Sequence, residues 1–333
     1  MILVIGGAGY IGSHAVKLLL DQGYQVVVFD NLSTGHQEAV DPRAVFVQGE
    51  LGSRTDLDHL FSKYPIEGVM HFAAHIQVGE SVTDPFKYYE NNVASTLTLL
   101  SVMLQHGVKK LIFSSTAAVY GLPEEDVIQE ELPANPINPY GRSKWMVEQI
   151  LQDFSYAYGL EYVALRYFNA AGADQSGKIG EDHDPETHLI PVILQHLLGL
   201  REKITVFGTD YPTPDGTCIR DYIHVVDLVE AHIYAMRALL DNRVKNEAFN
   251  LGTGHGYSVK EVIDMCEKVT GKKATVEYGA RREGDPPKLV ASSEKMHRVL
   301  GWKPTHNLED IVRTAWNWHR NHPNGYVDKR HHV

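Results

Sequence analysis

The chain has 333 residues, 43% of them hydrophobic and 22% charged, and carries a net charge of −11 at neutral pH. These values are ordinary for a globular protein and allow a substantial core and two domains. They argue against nucleic acid as the main partner, because an acidic chain repels a phosphate backbone. No apolar run approaches the ~20 residues that a bilayer span needs, so no membrane partner is expected either.

In chain order, Met1-Ile2-Leu3-Val4-Ile5 reads as a short buried strand. It runs into Gly6-Gly7-Ala8-Gly9-Tyr10-Ile11-Gly12, after which Ser13 to Leu20 has helical spacing. Strand, glycine turn and helix is the context of a dinucleotide fingerprint: glycines admit a pyrophosphate close to the backbone, and the helix start offers it free N–H groups. A second apolar run, Val26-Val27-Val28-Phe29, ends in Asp30. An acid there accepts hydrogen bonds from an adenosine ribose. No cation follows in Asn31-Leu32-Ser33-Thr34-Gly35, so a 2′-phosphate would meet only repulsion, which favours NAD over NADP.

Further strands are predicted at Val45-Phe46-Val47, Val69-Met70-His71-Phe72, Leu111-Ile112-Phe113 and Tyr162-Val163-Ala164-Leu165. Helical stretches fall at 97–105 and 144–157. The alternation predicts an α/β fold, a Rossmann-type doubly wound parallel sheet with ligand at the carboxyl ends of the strands. The proline-rich acidic stretch 122–139 reads as a surface loop that delivers the next helix.

That helix begins with Tyr140-Gly141-Arg142-Ser143-Lys144. Four residues apart on a helix, Tyr140 and Lys144 share a face, with about 5–6 Å between their Cβ atoms. A tyrosine pKa is about 10, so service as a base near neutrality needs a shift of ~3 units, about 4 kcal/mol. A unit positive charge ~4 Å away supplies about that at an effective dielectric of ~20. Lys144 beside a cationic cofactor is therefore expected to ready Tyr140 to accept a proton.

After residue 170 glycine, proline and histidine become dense. A helix at 225–240 and a strand at Ala248-Phe249-Asn250-Leu251 read as a return to the first sheet, giving a cofactor domain at 1–169 with 223–252 and a smaller mixed α/β substrate domain at 170–333. Arg220, Arg281 and Arg282 lie in the latter. They suit an anionic diphosphate. Surface ion pairs with Asp221, Glu283 or Asp285 suit them equally.

No metal is expected. His71 and His75 are four apart but on a strand running into a loop, neither His-Glu-x-x-His nor paired Cys-x-x-Cys occurs, and Arg330-His331-His332 reads as a solvated tail. Only Cys218 and Cys266 occur, and the first strand starts at Met1. No disulfide framework and no signal peptide are indicated, so the expected location is the cytoplasm.

The glycine loop, Ser114-Ser115-Thr116-Ala117-Ala118-Val119-Tyr120-Gly121, the Tyr140–Lys144 segment and Leu165-Arg166-Tyr167-Phe168-Asn169 together resemble the extended short-chain dehydrogenase/reductase family. Val78-Gly79-Glu80-Ser81, Asp215-Gly216-Thr217-Cys218-Ile219-Arg220-Asp221-Tyr222-Ile223-His224-Val225, Arg281-Arg282-Glu283-Gly284-Asp285 and Trp316-Asn317-Trp318-His319 narrow the resemblance, nearly end to end, to its NAD-dependent UDP-hexose epimerases. It implies reversible inversion at C4′ of UDP-glucose and UDP-galactose through a transient 4-keto sugar, with tightly bound NAD, in galactose metabolism, and a homodimer built on helices 85–105 and 144–157. Tyr140 would be the base, Thr116 would bond the same sugar oxygen, and Lys144 would contact the nicotinamide ribose. The implied NAD site comprises Gly6, Gly9, Tyr10, Ile11, Gly12, Asp30, Asn31, Leu32, Ser33, Thr34, Gly35, Glu50, Leu51, Phe72, Ala73, Ala74, Asn92, Tyr140, Lys144 and Phe168. Thr116, Tyr140, Asn169, His188, Leu189, Phe207, Arg220, Tyr222, Arg282, Asp285 and Leu289 would hold the UDP-sugar.

The chain departs from the family at three positions, with Glu50 for an Asp near the adenine, Ile76 for a Lys toward the pyrophosphate and His188 for an Asn near the uridine. Leu289 stands where some relatives carry a bulky Tyr, so N-acetylated UDP-hexoses are candidate substrates. A 4,6-dehydratase would need an acid–base pair where Ala117-Ala118 stands. A UDP-uronate epimerase or decarboxylase needs little beyond the same core, and an NAD-binding redox sensor would not need Tyr140 and Lys144 together.

Overall fold

The computed structural model describes residues 1–282 and 285–326. In chain order the amino-terminal elements are β1 (Ile2–Ile5), α1 (Tyr10–Asp21), β2 (Val26–Asp30), β3 (Val45–Gln48), α2 (Arg54–Lys63), β4 (Gly68–His71), α3 (Val78–Thr83) and α4 (Pro85–Tyr88). A π turn over Tyr89–Ala94 joins α4 to α5 (Ser95–Gln105), so the helical run expected at 85–105 is continuous but locally widened. Then come β5 (Lys110–Ser114), a 3₁₀ turn at Ala117–Tyr120, α6 (Pro139–Tyr158), β6 (Glu161–Arg166) and β7 (Asn169–Ala171).

The remainder is α7 (Leu189–Leu197), β8 (Ile204–Phe207), β9 (Ile219–Arg220), β10 (Tyr222–His224), α8 (Val225–Leu240), β11 (Glu247–Asn250), β12 (Tyr257–Ser258), α9 (Val259–Thr270), β13 (Val276–Gly279), β14 (Lys288–Leu289), α10 (Glu294–Leu300) and α11 (Leu308–Asn321).

Seven strands form one sheet in the order β11-β6-β5-β4-β1-β2-β3, and every neighbouring pair is parallel. β1 is buried along its whole length, as a central parallel strand must be when helices cover both faces. Its side chains alternate between two cores. Ile2 and Val4 pack with Val16, Leu228 and Met236 under α1 and α8, whereas Leu3 and Ile5 pack with Leu60, Leu99 and Val147 under α2, α5 and α6. The strand order reverses between β1 and β4, which opens a crevice at the carboxyl ends of the sheet.

A third core lies under α7, α9 and α11, where Ile193, Leu194, Val262, Cys266 and Ile311 meet. Among the described residues three small sheets accompany it: β10 with β7, β12-β9-β14, and β13 with β8. Cys218 and Cys266 are buried and unpaired. Among the described residues no helix is long and apolar enough to cross a membrane.

Candidate active site

The glycine loop turns at Gly6, whose φ of +77° favours glycine. A Cβ at Gly12 would stand 2.1 Å from the Gly6 carbonyl oxygen, so only glycine lets α1 start this close to β1. Gly9 caps α1 without a side-chain hydrogen bond, and the first turn carries no acid. Uncapped N–H groups facing a cleft suit a pyrophosphate. Asp30 ends β2 buried, and its two carboxylate oxygens accept from Ala8 N and Leu32 N, each at 2.9 Å. Those bonds aim the carboxylate over the loop while each oxygen keeps a lone pair for a ribose hydroxyl. The residues present fit NAD.

Across the switch point, Asn138 caps α6 by accepting from Gly141 N at 2.8 Å, with Pro139 in the first turn. Gly141 lets the helix press on the Ala118 backbone, since a Cβ there would lie 2.8 Å from the Ala118 oxygen. Tyr140 and Lys144 thus project beside the end of β5. Lys144 is 4% exposed and donates from Nζ to the Ser114 carbonyl at 2.9 Å. Burial pushes its pKa down to about 7 against the pull of Glu148 one turn on. Burial raises the Tyr140 phenol, and the Thr116 hydroxyl beside it works the other way. The lowering expected from Lys144 is therefore absent in the chain alone, because the desolvated ammonium is itself discouraged from charging.

A buried network supports this corner. Arg166 and Glu148 pair through Nη2–Oε2 at 2.5 Å and Nε–Oε1 at 3.0 Å. Ser115 donates to Glu148 at 2.5 Å, Arg166 donates to the Tyr120 hydroxyl at 2.8 Å, and Tyr120 donates to Asn250 at 2.8 Å. The ends of β5, β6 and β11 are thereby locked to the middle of α6. Ser114 Oγ and Tyr167 Oη lie 2.6 Å apart and also line the cleft.

The opposite wall carries charge. Arg220 on β9 pairs with Asp285, and the Arg282 guanidinium lies 4.2 Å from the centre of the Phe207 ring. Arg281 instead pairs with exposed Asp210 at 2.7 Å. Asp221 is buried, accepting from Thr253 Oγ1 at 2.6 Å and Ala291 N at 3.1 Å, and makes no pair with Arg220. Glu283 lies outside the described residues. Of the two uses weighed for these arginines, ion pairing is present for Arg220 and Arg281, while Arg220 also faces the cleft.

The cleft encloses about 1960 Å³. That is room for two ligands of ordinary size, at ~300–1,000 Å³ each. Its walls include Gly6, Gly9, Tyr10, Ile11, Gly12, Asp30, Asn31, Leu32, Ser33, Thr34, Gly35, Glu50, Leu51, Phe72, Ala73, Ala74, Thr116, Tyr140, Lys144, Phe168, Asn169, His188, Arg220, Arg282, Asp285 and Leu289, together with Ile76. Four expected residues are not on them. Asn92 is buried beneath, with Oδ1 accepting from His75 N and Nδ2 donating to His75 O and Ser143 Oγ. Its amide is used up in fixing the loop after β4. Leu189 and Tyr222 pack into the third core, and Phe207 touches the cleft only through Arg282. Glu50 accepts from Asn31 at 3.1 Å, so the longer carboxylate is tethered near the Asp30 end.

Sequence reasoning left Ser114 and Tyr167 out of the site, and it named His188 without Glu181, His183 and Glu186, which gather with it at the cleft edge. The spacing Glu-x-His-x-x-Glu-x-His is a signal for it, but this segment is an irregular loop, where no helical or strand period announces a shared face.

The NAD dependent epimerase/dehydratase family matches residues 2–252. The UDP-glucose 4-epimerase of Lacticaseibacillus casei is 53% identical over 98% of this chain and 99% of its own length. The crystal structure of UDP-glucose 4-epimerase from Brucella ovis in complex with NAD is similar with a TM-score of 0.92 at 50% identity, covering 95% of this chain and 97% of that one. That of the Bifidobacterium longum enzyme with NAD⁺ and UDP has a TM-score of 0.92 at 40% identity, covering 98% and 99%.

Proposed function

The chain belongs to the NAD dependent epimerase/dehydratase family, and from that premise we propose that it is an NAD-dependent UDP-glucose 4-epimerase. It interconverts UDP-glucose and UDP-galactose by inverting C4′ through a transient 4-keto sugar, the reaction of galactose metabolism. The observation that carries this reading is a single cleft joining the uncapped glycine loop and Asp30 to Tyr140, Lys144 and Thr116 on one side and Arg220, Arg282 and Asp285 on the other. Near full-length identity to UDP-glucose 4-epimerases supports it. Neither the uronate enzymes nor a non-catalytic sensor is favoured.

NAD⁺, when bound, would supply a reversible hydride acceptor and a positive charge that the buried phenol lacks. Tyr140 takes the proton of the 4′-hydroxyl and returns it after the sugar has turned. Thr116 hydrogen-bonds the same oxygen and holds it against the phenol. Lys144 keeps its place through the Ser114 carbonyl, where it would hold the nicotinamide ribose. Arg220 and Arg282 grip the diphosphate, with Asn169, His188 and Asp285 beside them, so the anchor lies far from C4′ and leaves the sugar free to present both faces. Residues 1–169 with 223–252 form the NAD-binding domain and 170–333 the UDP-sugar domain.

The test is incubation of purified protein with UDP-galactose and no added cofactor. UDP-glucose should form over many turnovers with catalytic NAD retained; a stoichiometric demand for NAD would reject the cycle. Leu289, half-buried on the cleft wall, leaves room for an N-acetyl group, so UDP-N-acetylglucosamine assayed alongside should also turn over. The protein is further proposed to be a cytoplasmic homodimer. Its two free cysteines suit a reducing compartment. Phe86, Leu97 and Met146, apolar yet exposed on α4, α5 and α6, suit a paired-helix interface, which light scattering of wild type and Leu97→Glu would check.

A further inference from the structure

The loop between β7 and α7 carries Glu181, His183, Glu186 and His188, whose ligand atoms all lie within 4.8 Å of one another. The two carboxylates are buried, at 4% and 2% side-chain exposure. Glu181 Oε1 is 3.2 Å from His183 Nδ1 and 2.8 Å from His188 Nδ1. Glu186 Oε2 is 3.6 Å from His183 Nδ1, and its Oε1 is 3.3 Å from His188 Nδ1. His183 Nδ1, His188 Nδ1 and Glu186 Oε2 are sealed from solvent and, among the described residues, have no well-aligned hydrogen-bond partner, although both rings lie close enough to the carboxylates to pair with them as ions.

The four carboxylate–imidazole separations, 2.8–3.6 Å, bracket the spacing of ligands around one ion. Four donors at ~2.1 Å from a tetrahedral metal stand about 3.4 Å apart. The frame is also preset. Glu186 Oε1 accepts from Thr187 N and His188 N at 2.8 Å each, which turns Oε2 inward. The Glu181 carbonyl accepts from Trp318 Nε1 at 3.0 Å, and Gly180 packs so tightly on that indole that a Cβ would sit 2.3 Å from it. The loop is thus pinned to α11.

We propose that Glu181, His183, Glu186 and His188 bind one divalent transition-metal cation of the zinc class. Two imidazoles among the donors favour zinc-like ions over magnesium or calcium, which take oxygen ligands. Four protein ligands close the sphere, so the ion is structural and takes no part in the hydride or proton steps. It would tie His188, on the cleft wall, to His183 of the same loop, whose ring stands 6.3 Å from that of Tyr10. Protons and the ion compete for the same ring nitrogens, so binding releases protons.

The experiment uses the full-length chain without an affinity tag, stripped with a chelator and titrated with Zn²⁺ and, in parallel, Co²⁺. The expected result is saturable uptake of one ion per chain by elemental mass spectrometry, with the intense visible bands of tetrahedral Co²⁺. His183→Gln combined with Glu186→Gln should abolish both while leaving the circular dichroism and retained NAD intact. A wild-type chain that takes up no stoichiometric Zn²⁺ overturns the proposal whether or not the variant folds. So does undiminished uptake by a folded variant, or uptake that disappears in His331→Gln with His332→Gln, which would assign the ion to the tail.

Discussion

The two walls of the cleft are held by different means. The wall with Tyr140, Lys144 and Thr116 stands on the ends of central strands and the start of a long helix, and its supports (Glu148, Arg166, Tyr120 and Asn250) are interlocked and largely shut off from water. The facing wall hangs on the two-residue strands β9 and β14 and on single contacts such as Arg220 with Asp285 and Arg282 on Phe207. Proton transfer demands placement within a fraction of an ångström, whereas a diphosphate needs charge and reach. The molecule spends its buried polar groups accordingly.

Four substitutions or conditions sharpen that contrast. The largest effect is expected for Tyr140→Phe, which removes the proton acceptor and should cut turnover about 10²–10⁴-fold. NAD should stay bound, as read from its absorbance in the purified protein; near-normal turnover would break the assignment. Next is Glu148→Ala, which leaves the Arg166 guanidinium buried and uncompensated and should cost roughly 3–5 kcal/mol of folding stability in denaturant titrations. A loss no larger than that of an exposed ion pair would show that the network does not hold the wall. On the opposite side Arg220→Ala should behave differently, raising KM for the UDP-sugar by about 10–100-fold while kcat changes less. An equal fall in kcat would place Arg220 in the chemistry.

The last effect concerns pH. Burial lowers His232 to about 4; burial, then His306, lowers His224 to about 3; and burial, then Lys144, lowers His71 to about 3. All three are neutral in the fold, so their stabilisation is complete above the unfolded value of about 6.5 and is lost on acidification. Each should remove on the order of 1.4 kcal/mol per pH unit below that, until its folded pKa is reached. Replacing His232 with Gln should flatten the pH dependence of the unfolding midpoint between about pH 6.5 and 4; an unchanged slope would count against it.

What the sequence disclosed was local. The glycine loop, Asp30 at a strand end and the Tyr140–Lys144 spacing each follow from a period or a turn within a dozen residues, and all reach the cleft. What it hid depends on partners distant along the chain. Nothing near Asn92 announces that its amide is consumed by His75, nor does anything near Tyr222 show that it faces the third core. The tie between Glu148 and Arg166 joins a helix to a strand that only folding aligns. Tyr140 shows the same limit in energetic form: the spacing suggests a cation that lowers the phenol, but burial raises the phenol and lowers the Lys144 ammonium.

Strand β11 pairs with β6 only after the chain has made its excursion through β7 to β10, and α8 likewise arrives late to cover α1. A ribosome therefore releases β1 to β6 with one margin raw and one greasy flank bare, for as long as it takes to polymerise residues 170–250. The nascent chain is most exposed to pairing with a sister copy during that interval, so a fragment ending at 169 is a sticky half-product and not a free-standing nucleotide binder.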